Sequence, residues 1–275
     1  MWKLSGIADE ISDDLVEQFR VSRSLGLSYV ELRSAWNTNV LDLSHDQLAV
    51  VRSQLKRHGL RVSSVASPVG KISITDEMAP ELDRLRRAIH VAEYLDAPYI
   101  RIFSFSLPDG CDPATHRDEV ITRMKAFAEV GEQSGVVLLH ENDKGLYGAT
   151  PERCLDIIES VRSAFLALAW DSANFVRVGL RPFDDGYVML RPYLAYVQIK
   201  DAIFESGTAV PAGRGDGQLP ETVRALSDDG YDGFLSLEPH LGTAYQLGGL
   251  SDPELFAVAH GALRSLLESE GISYR

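Results

Sequence analysis

Apolar positions along this chain fall into short continuous runs that stop abruptly at polar side chains. The clearest spans residues 135–139 and ends in His140-Glu141-Asn142-Asp143. A run of that length, led by Gly and rich in Val and Leu, is the pattern of a strand buried on both faces, as parallel strands are. The same shape recurs at residues 167–171, 195–201 and 233–240, ending in Asp171, in Gln198 with Lys200 and Asp201, and in Glu238 with His240. Weaker runs of this kind cover residues 4–8, 28–33, 61–66 and 98–103. Between them lie helical stripes. Ser12 or Asp13 caps a helix carrying Leu15, Val16, Phe19 and Val21, and Ser44 caps a second that closes at His58-Gly59. Leu82, Leu85, Ile89 and Ala92 share one stripe of a helix that starts near Thr75 and runs to Leu95. Asp112-Pro113 opens another helix, and Thr150-Pro151 pairs an N-cap with proline at the first helical position. Residues 183–192 are less regular, 211–217 form a mobile glycine-rich loop, and helices follow at 220–226 and 252–268.

Eight strand-then-helix units with no linker predict an α/β fold, a single-domain (β/α)8 TIM barrel over residues 1–275. An open doubly wound sheet more often carries a glycine-rich phosphate fingerprint after its first strand, and none stands here. The 275 residues match the roughly 250 that such a barrel needs. With 45% hydrophobic and 24% charged residues, the composition is that of a globular protein with a substantial core. The net charge of −13 argues against general affinity for nucleic acid or anionic membranes. The two cysteines, Cys111 and Cys154, form no CxxC pair, which fits a reducing cytoplasm. No apolar signal core follows Met1 and no run reaches the length of a membrane span, so a soluble cytoplasmic protein is expected.

Closing the sheet brings the strand ends together, on the face where barrels carry their chemistry. Glu141, Asp171, Gln198 and Glu238 end the last four strands and offer oxygen to a hard divalent cation. One such residue is more simply a strand end reaching water, but four in succession favour a site. His140 and His240 are candidates for metal ligation, substrate contact or proton transfer, and each is as readily a hydrogen-bonded structural histidine. Lys200 shares a strand face with Gln198 and suits a substrate oxygen anion, or an ion pair with Asp201. Glu31, Arg33 and Arg101 also sit at strand ends, where guanidinium groups suit polyol, carboxylate or phosphate recognition, or an ion-pair ring at the mouth. Trp36, Phe103 and Phe105 could wall a sugar or belong to the core.

Several motifs resemble those of the sugar phosphate isomerase/epimerase family of xylose isomerase-like barrels. They are Val197-Gln198-Ile199-Lys200-Asp201, Gly213-Arg214-Gly215-Asp216-Gly217, and Gly230-Tyr231-Asp232-Gly233-Phe234 running on to Leu237-Glu238-Pro239-His240. Tyr29-Val30-Glu31-Leu32-Arg33, His140-Glu141-Asn142 and Trp170-Asp171-Ser172-Ala173-Asn174 fall where that family has its other landmarks, so the likeness spans nearly the whole chain. The resemblance implies metal ligation by Glu141, Asp171 and Glu238. The fourth ligand, usually the histidine of a His-x-Lys-Asp motif, is here Gln198, a neutral hard donor. It implies a divalent cation, Mn²⁺ first, with Mg²⁺ or Co²⁺ as substitutes. Glu141 and Glu238, with Lys200, would be the catalytic set. Glu31, Arg33, Arg101, His140, Asn174, Arg214 and His240 would contact a small-molecule carbohydrate. The implied activity is isomerisation or epimerisation of a keto-sugar or related polyol, in a homodimer or homotetramer. A lyase working through the same enolate is the alternative. An abasic-site endonuclease fits the acidic balance and few histidines less well, and a non-catalytic sugar-binding barrel fits the three retained carboxylates less well.

Overall fold

A computed structural model describes residues 1–242 and 252–274. Eight parallel strands, labelled here in chain order, build one sheet: β1 (Lys3–Gly6), β2 (Tyr29–Leu32), β3 (Arg61–Ala66), β4 (Tyr99–Ile102), β5 (Val137–Glu141), β6 (Leu166–Asp171), β7 (Leu194–Ile199) and β8 (Phe234–Leu237). Their order is β1-β8-β7-β6-β5-β4-β3-β2, so each strand lies beside its sequence neighbour. The ring returns to its start through a parallel bridge between Ile7 and Glu31. This is the expected (β/α)8 barrel, nearly closed.

Helices α1 (Leu15–Ser24), α2 (His45–His58), α3 (Met78–Tyr94), α4 (Arg117–Ser134), α5 (Pro151–Val161), α6 (Leu219–Asp228) and α7 (Pro253–Ser269) connect the strands. Boundaries moved where local polar chemistry decided them. The cap of α1 is Asp14, whose carboxylate accepts the Glu17 N–H at 2.9 Å, not Ser12 or Asp13. Ser44 and Gln47 form a reciprocal capping box at α2, as the sequence suggests. The turn after Asp112-Pro113 is a separate 3-10 segment, Pro113–His116, ahead of α4. After β6 the chain makes the short helix Ser172–Val176. Residues 183–193 are a run of π, α and 3-10 turns, which matches their irregular pattern. Among the described residues no helix is long and apolar enough to cross a membrane.

The alternation of β-strands then sorts the side chains. Even-numbered residues of β2 and β4, such as Val30, Leu32, Ile100 and Ile102, face the helices in the main core, as do Leu138, Val197 and Leu235. The intervening residues line the barrel in tiers. Tyr29, Leu139, Ala169, Tyr196 and Phe234 pack together as an apolar plug. Two residues further along each strand stand Glu31, Glu141, Asp171, Gln198 and Ser236, and two further again Arg33, Lys200 and Glu238. The interior therefore passes from a mainly aromatic tier, through one of carboxylates with an amide and a hydroxyl, to Arg33, Lys200 and Glu238 at the mouth. That gradient is written in the i, i+2, i+4 positions of each strand.

Candidate active site

The charged tier opens into a cavity of about 320 Å³ lined by Arg33, Arg101, Glu141, Asn174, Lys200, Glu238 and His240, with Phe103 and Lys71 on its wall. The size suits a small molecule of sugar dimensions. Carboxylate oxygens of Glu141 and Glu238, which line it, and of the fully buried Asp171 lie within 4.8 Å of one another. All three residues are buried, so their charge is matched by cations held close. Lys200 Nζ stands 2.7 Å from Asp171 Oδ2 and 3.1 Å from Glu238 Oε2. Arg101 Nη1 is 3.2 Å from Glu141 Oε2 and 3.8 Å from Glu238 Oε1. Arg33 joins Asp9 at 3.0 Å, Glu10 at 3.1 Å and Glu238 at 3.3 Å. His240 spans Glu10 at 2.9 Å and Glu238 at 3.2 Å.

These contacts drive the carboxyls apart. Burial raises Glu141 to about 8, with Arg101 opposing and Glu238 and Asp171 adding to the rise. Burial also raises Asp171 against the pull of Lys200. Glu238 feels the same burial, but Lys200, His240 and Arg101 outweigh it and hold the carboxyl well below its usual range. Two glutamates of one cluster thus differ strongly in proton affinity, the arrangement from which acid and base roles are built. Burial disfavours the charged forms of Lys200 and His240, yet the surrounding carboxylates raise both above their ordinary values.

The donor set fits a hard divalent cation. It supplies three convergent carboxylates and, from Gln198, a buried amide oxygen without a hydrogen-bond partner. A cation there would share Asp171 and Glu238 with the Lys200 ammonium.

Of the residues expected from sequence, the fold brings Glu141, Asp171, Glu238, Lys200, Arg33, Arg101, Asn174 and His240 together. Asn174 is held by its N–H on Asp171 Oδ1 at 3.0 Å and by its amide on the Asn142 carbonyl at 3.0 Å. Three others are placed elsewhere. Glu31 is not in the cavity lining: it is fully buried, with its carboxylate turned to the amide of Gln198. His140 is neighbour to Glu141 in sequence and therefore on the opposite strand face, against Gly148 and Ser104 in the outer core. A Cβ on Gly148 would come within 2.7 Å of His140 Nε2, so only glycine leaves room for the ring. Arg214 is exposed on the glycine-rich turn, outside the cavity lining. That turn is not loose: the Asp201 carboxylate accepts the N–H groups of Gly213, Gly215 and Gly217 at 2.9, 3.0 and 2.8 Å. Cβ atoms on Gly215 or Gly217 would fall 2.5 or 2.6 Å from Asp201 Oδ1. Phe103 lines the cavity, whereas Phe105 stacks on Phe127 and Trp36 packs against the core.

Sequence reading left Glu10, Lys71 and Arg177 without a role. Glu10 follows the first strand as Glu238 follows the last, a signal that was available. Lys71 sits in a loop with no periodicity. It reaches the site through an ion pair with Asp143 at 2.7 Å and a position 4.1 Å over the Phe103 ring. Arg177 closes the short helix after β6 and donates to the Gly207 carbonyl at 3.2 Å.

His140 yields a pH prediction. Both ring nitrogens are buried without hydrogen-bond partners, and burial lowers its pKa from 6.5 to about 4. The unfolded chain takes up a proton that the folded one refuses. Stability present above pH 6.5 is therefore lost, by up to about 3 kcal/mol, as the pH falls through about 4. His140→Leu is expected to flatten the denaturant midpoint between pH 6.5 and 4 relative to the wild type. Equal slopes for the two proteins would show that the imidazole does not titrate this way.

Three comparisons place these features among known proteins. A family model described as xylose isomerase-like TIM barrel matches residues 19–264. No curated protein matches the chain. Among solved structures, a D-tagatose 3-epimerase-like protein superposes with a TM-score of 0.78 at 17% identity, over 98% of each chain. A probable 3-DHS dehydratase from Bacillus anthracis, involved in petrobactin synthesis, gives 0.76 at 18% identity, over 96% of this chain and 98% of that one. A barrel protein from Mycobacterium smegmatis in complex with magnesium gives 0.72 at 20% identity, over 98% and 97%. At such identities the likeness establishes the fold and leaves the chemistry to the site.

Proposed function

The chain belongs to the xylose isomerase-like TIM barrel family, and from that premise we propose that it is a divalent-metal-dependent isomerase or epimerase of a small keto-sugar or related polyol. The observation that carries this reading is the convergence of Glu141, Asp171 and Glu238 within 4.8 Å at a sugar-sized cavity. Those three carboxylates, with the amide oxygen of Gln198, would hold the cation, with Mn²⁺ the first expectation. When bound, the cation polarises a substrate carbonyl, which makes the adjacent C–H acidic enough for a carboxylate. Glu238, kept ionised by Lys200, His240 and Arg101, is the group placed to take that proton. Glu141, the other glutamate of the cluster, is its partner for return of a proton at the second position or face. Lys200, Arg101 and Asn174 present donors for substrate oxygens, and Phe103 offers an apolar wall to a ring or chain. The net charge of −13 and the lack of a glycine-rich phosphate fingerprint after the first strand in the sequence support a small non-phosphorylated substrate.

One observation favours a second reading, β-elimination. His240 stands 3.2 Å from Glu238 with its proton affinity raised, which sets an acid beside the base. Such an acid could protonate a departing hydroxyl. A common enolate would serve both reactions.

The deciding experiment has two stages. Gently purified protein soaked with Mn²⁺ and desalted is expected to carry about one ion per chain. Incubation with keto-sugars and polyhydroxylated keto acids in D₂O is then expected to put deuterium on the carbon beside the carbonyl. A product of unchanged elemental composition, apart from the deuterium taken up, marks the isomerase, and loss of water marks the lyase. No bound metal after soaking in excess would sink the metal-dependent reading in both forms.

A further inference from the structure

Gln198 is fully buried in the middle tier of the barrel, in register with Asp171 on one side and Ser236 on the other. Its amide nitrogen lies 3.1 and 3.0 Å from the two oxygens of Glu31. The same carboxylate accepts the Ser236 hydroxyl at 2.7 Å and the Tyr196 hydroxyl at 3.1 Å. Tyr196 in turn meets the Ser63 hydroxyl at 2.9 Å, and Ser63 meets Ser5 at 2.6 Å. Every partner of Glu31 in this set is a donor, as suits a carboxylate, which only accepts. A carbonyl oxygen turned toward Glu31 would repel it. The two ends of the Gln198 amide are therefore not interchangeable: the nitrogen belongs to Glu31, and the oxygen is left on the other arm. That oxygen is buried and has no hydrogen-bond partner.

We propose that Glu31 is a positioning residue that fixes the Gln198 amide with its oxygen available as the fourth ligand of the cation held by Glu141, Asp171 and Glu238. This rests on the metal-dependent reading above. The reason is chemical. A histidine can expose a ring nitrogen as ligand in one orientation or the other, but a glutamine offers a ligand atom from only one end. Glutamine at this position needs a neighbour that rejects the wrong end, and an acceptor-only group tied down by two hydroxyls does so. A buried carbonyl oxygen without a donor carries a desolvation cost, so the arrangement is completed when a cation or donor arrives.

The test is a double-mutant cycle read as Mn²⁺ affinity by calorimetry, with electron paramagnetic resonance of the bound ion as a second readout. Glu31→Gln keeps the shape but adds an NH₂ group that can donate to the Gln198 oxygen and draw it away. It is expected to weaken Mn²⁺ binding by roughly tenfold or more, the usual cost of losing a group that orients a ligand. Gln198→Ala is expected to weaken it comparably. The double variant should then bind no more weakly than Gln198→Ala alone, because Glu31 acts only through the amide. Ser63→Ala loosens the hydroxyl chain below without touching Glu31 or Gln198. It is expected to lower the melting temperature while leaving affinity within about twofold, which separates positioning from general stability. Should Glu31→Gln not fold, Glu31→Asp, whose shortened side chain withdraws from the amide, takes its place with the same expected loss. Wild-type affinity in the Glu31 variant, or additive losses in the double variant, would overturn the inference and leave the metal site intact. Absence of Mn²⁺ binding by the wild type would instead overturn both.

Discussion

Replacing Glu238 by glutamine is expected to abolish Mn²⁺ retention and to slow deuterium incorporation into substrate by on the order of a thousandfold. Glu238 is the shared counter-ion of the site, within 3.3 Å of Lys200, His240 and Arg33, with Arg101 at 3.8 Å. The substitution keeps the shape and removes the charge, so buried cations lose the anion they have in common. Breaking a buried pair by neutralising one partner costs about 3–5 kcal/mol, against roughly 1 kcal/mol or less for an exposed pair. The metal-free variant should therefore melt about 10 °C lower in a chain of this size. Because Glu238 is held well below the usual carboxylate range, its role as base should persist across the neutral range, with no rise in rate attributable to its own ionisation. Elemental analysis, thermal melts and exchange rates on one preparation check all of this. A variant that keeps its metal and its exchange rate would remove Glu238 from both roles.

How much of this site the sequence reveals depends on which physical rule each residue obeys. Strand periodicity carries most of it. Glu31 and Arg33, Gln198 and Lys200, and Ser236 and Glu238 share an inward face because they are two apart, and the apolar plug beneath them follows from the same count. The same rule, applied strictly, excludes His140: it is adjacent to Glu141 and must face outward. Its polar character suggests the site, but alternation overrides that and places it against Gly148. Periodicity does not say how deep a tier lies, and so Glu31 looks like a cavity residue although it supports one. Arg214 shows a different gap. Its glycine-rich surroundings suggest an open binding loop, but the three N–H groups of that loop are consumed by Asp201, and the arginine between them is turned to solvent. Lys71 comes from a loop with no repeating pattern, and only the closed fold brings it to Asp143 and Phe103.

Lys200→Met should separate the two roles that one ammonium plays. Its nitrogen lies 2.7 Å from Asp171 and 3.1 Å from Glu238, on oxygens that a dication would also use. At such range, unit charges near a protein surface interact by about 4 kcal/mol at an effective dielectric of 20, and the ammonium both competes for the carboxylates and repels the incoming ion. Removing it is expected to tighten Mn²⁺ binding by roughly tenfold or more, even after rearrangement absorbs most of that repulsion. Without metal the same variant leaves two buried carboxylates facing each other, so its melting temperature should fall, and added Mn²⁺ should raise it further than in the wild type. Turnover should move the other way. A flexible apolar side chain cannot donate to a developing substrate oxyanion, and at saturating Mn²⁺ the rate is expected to drop by about a hundredfold, within the range found when one such donor is removed. Tighter binding with wild-type turnover would mean that Lys200 serves only to balance the charge of Asp171 and Glu238. Weaker binding would mean that the ammonium organises Asp171 and Glu238 for the metal instead of competing with it. Only the combination of a stronger metal site and a slower reaction identifies Lys200 as a substrate-facing donor that yields its carboxylates when the cation enters.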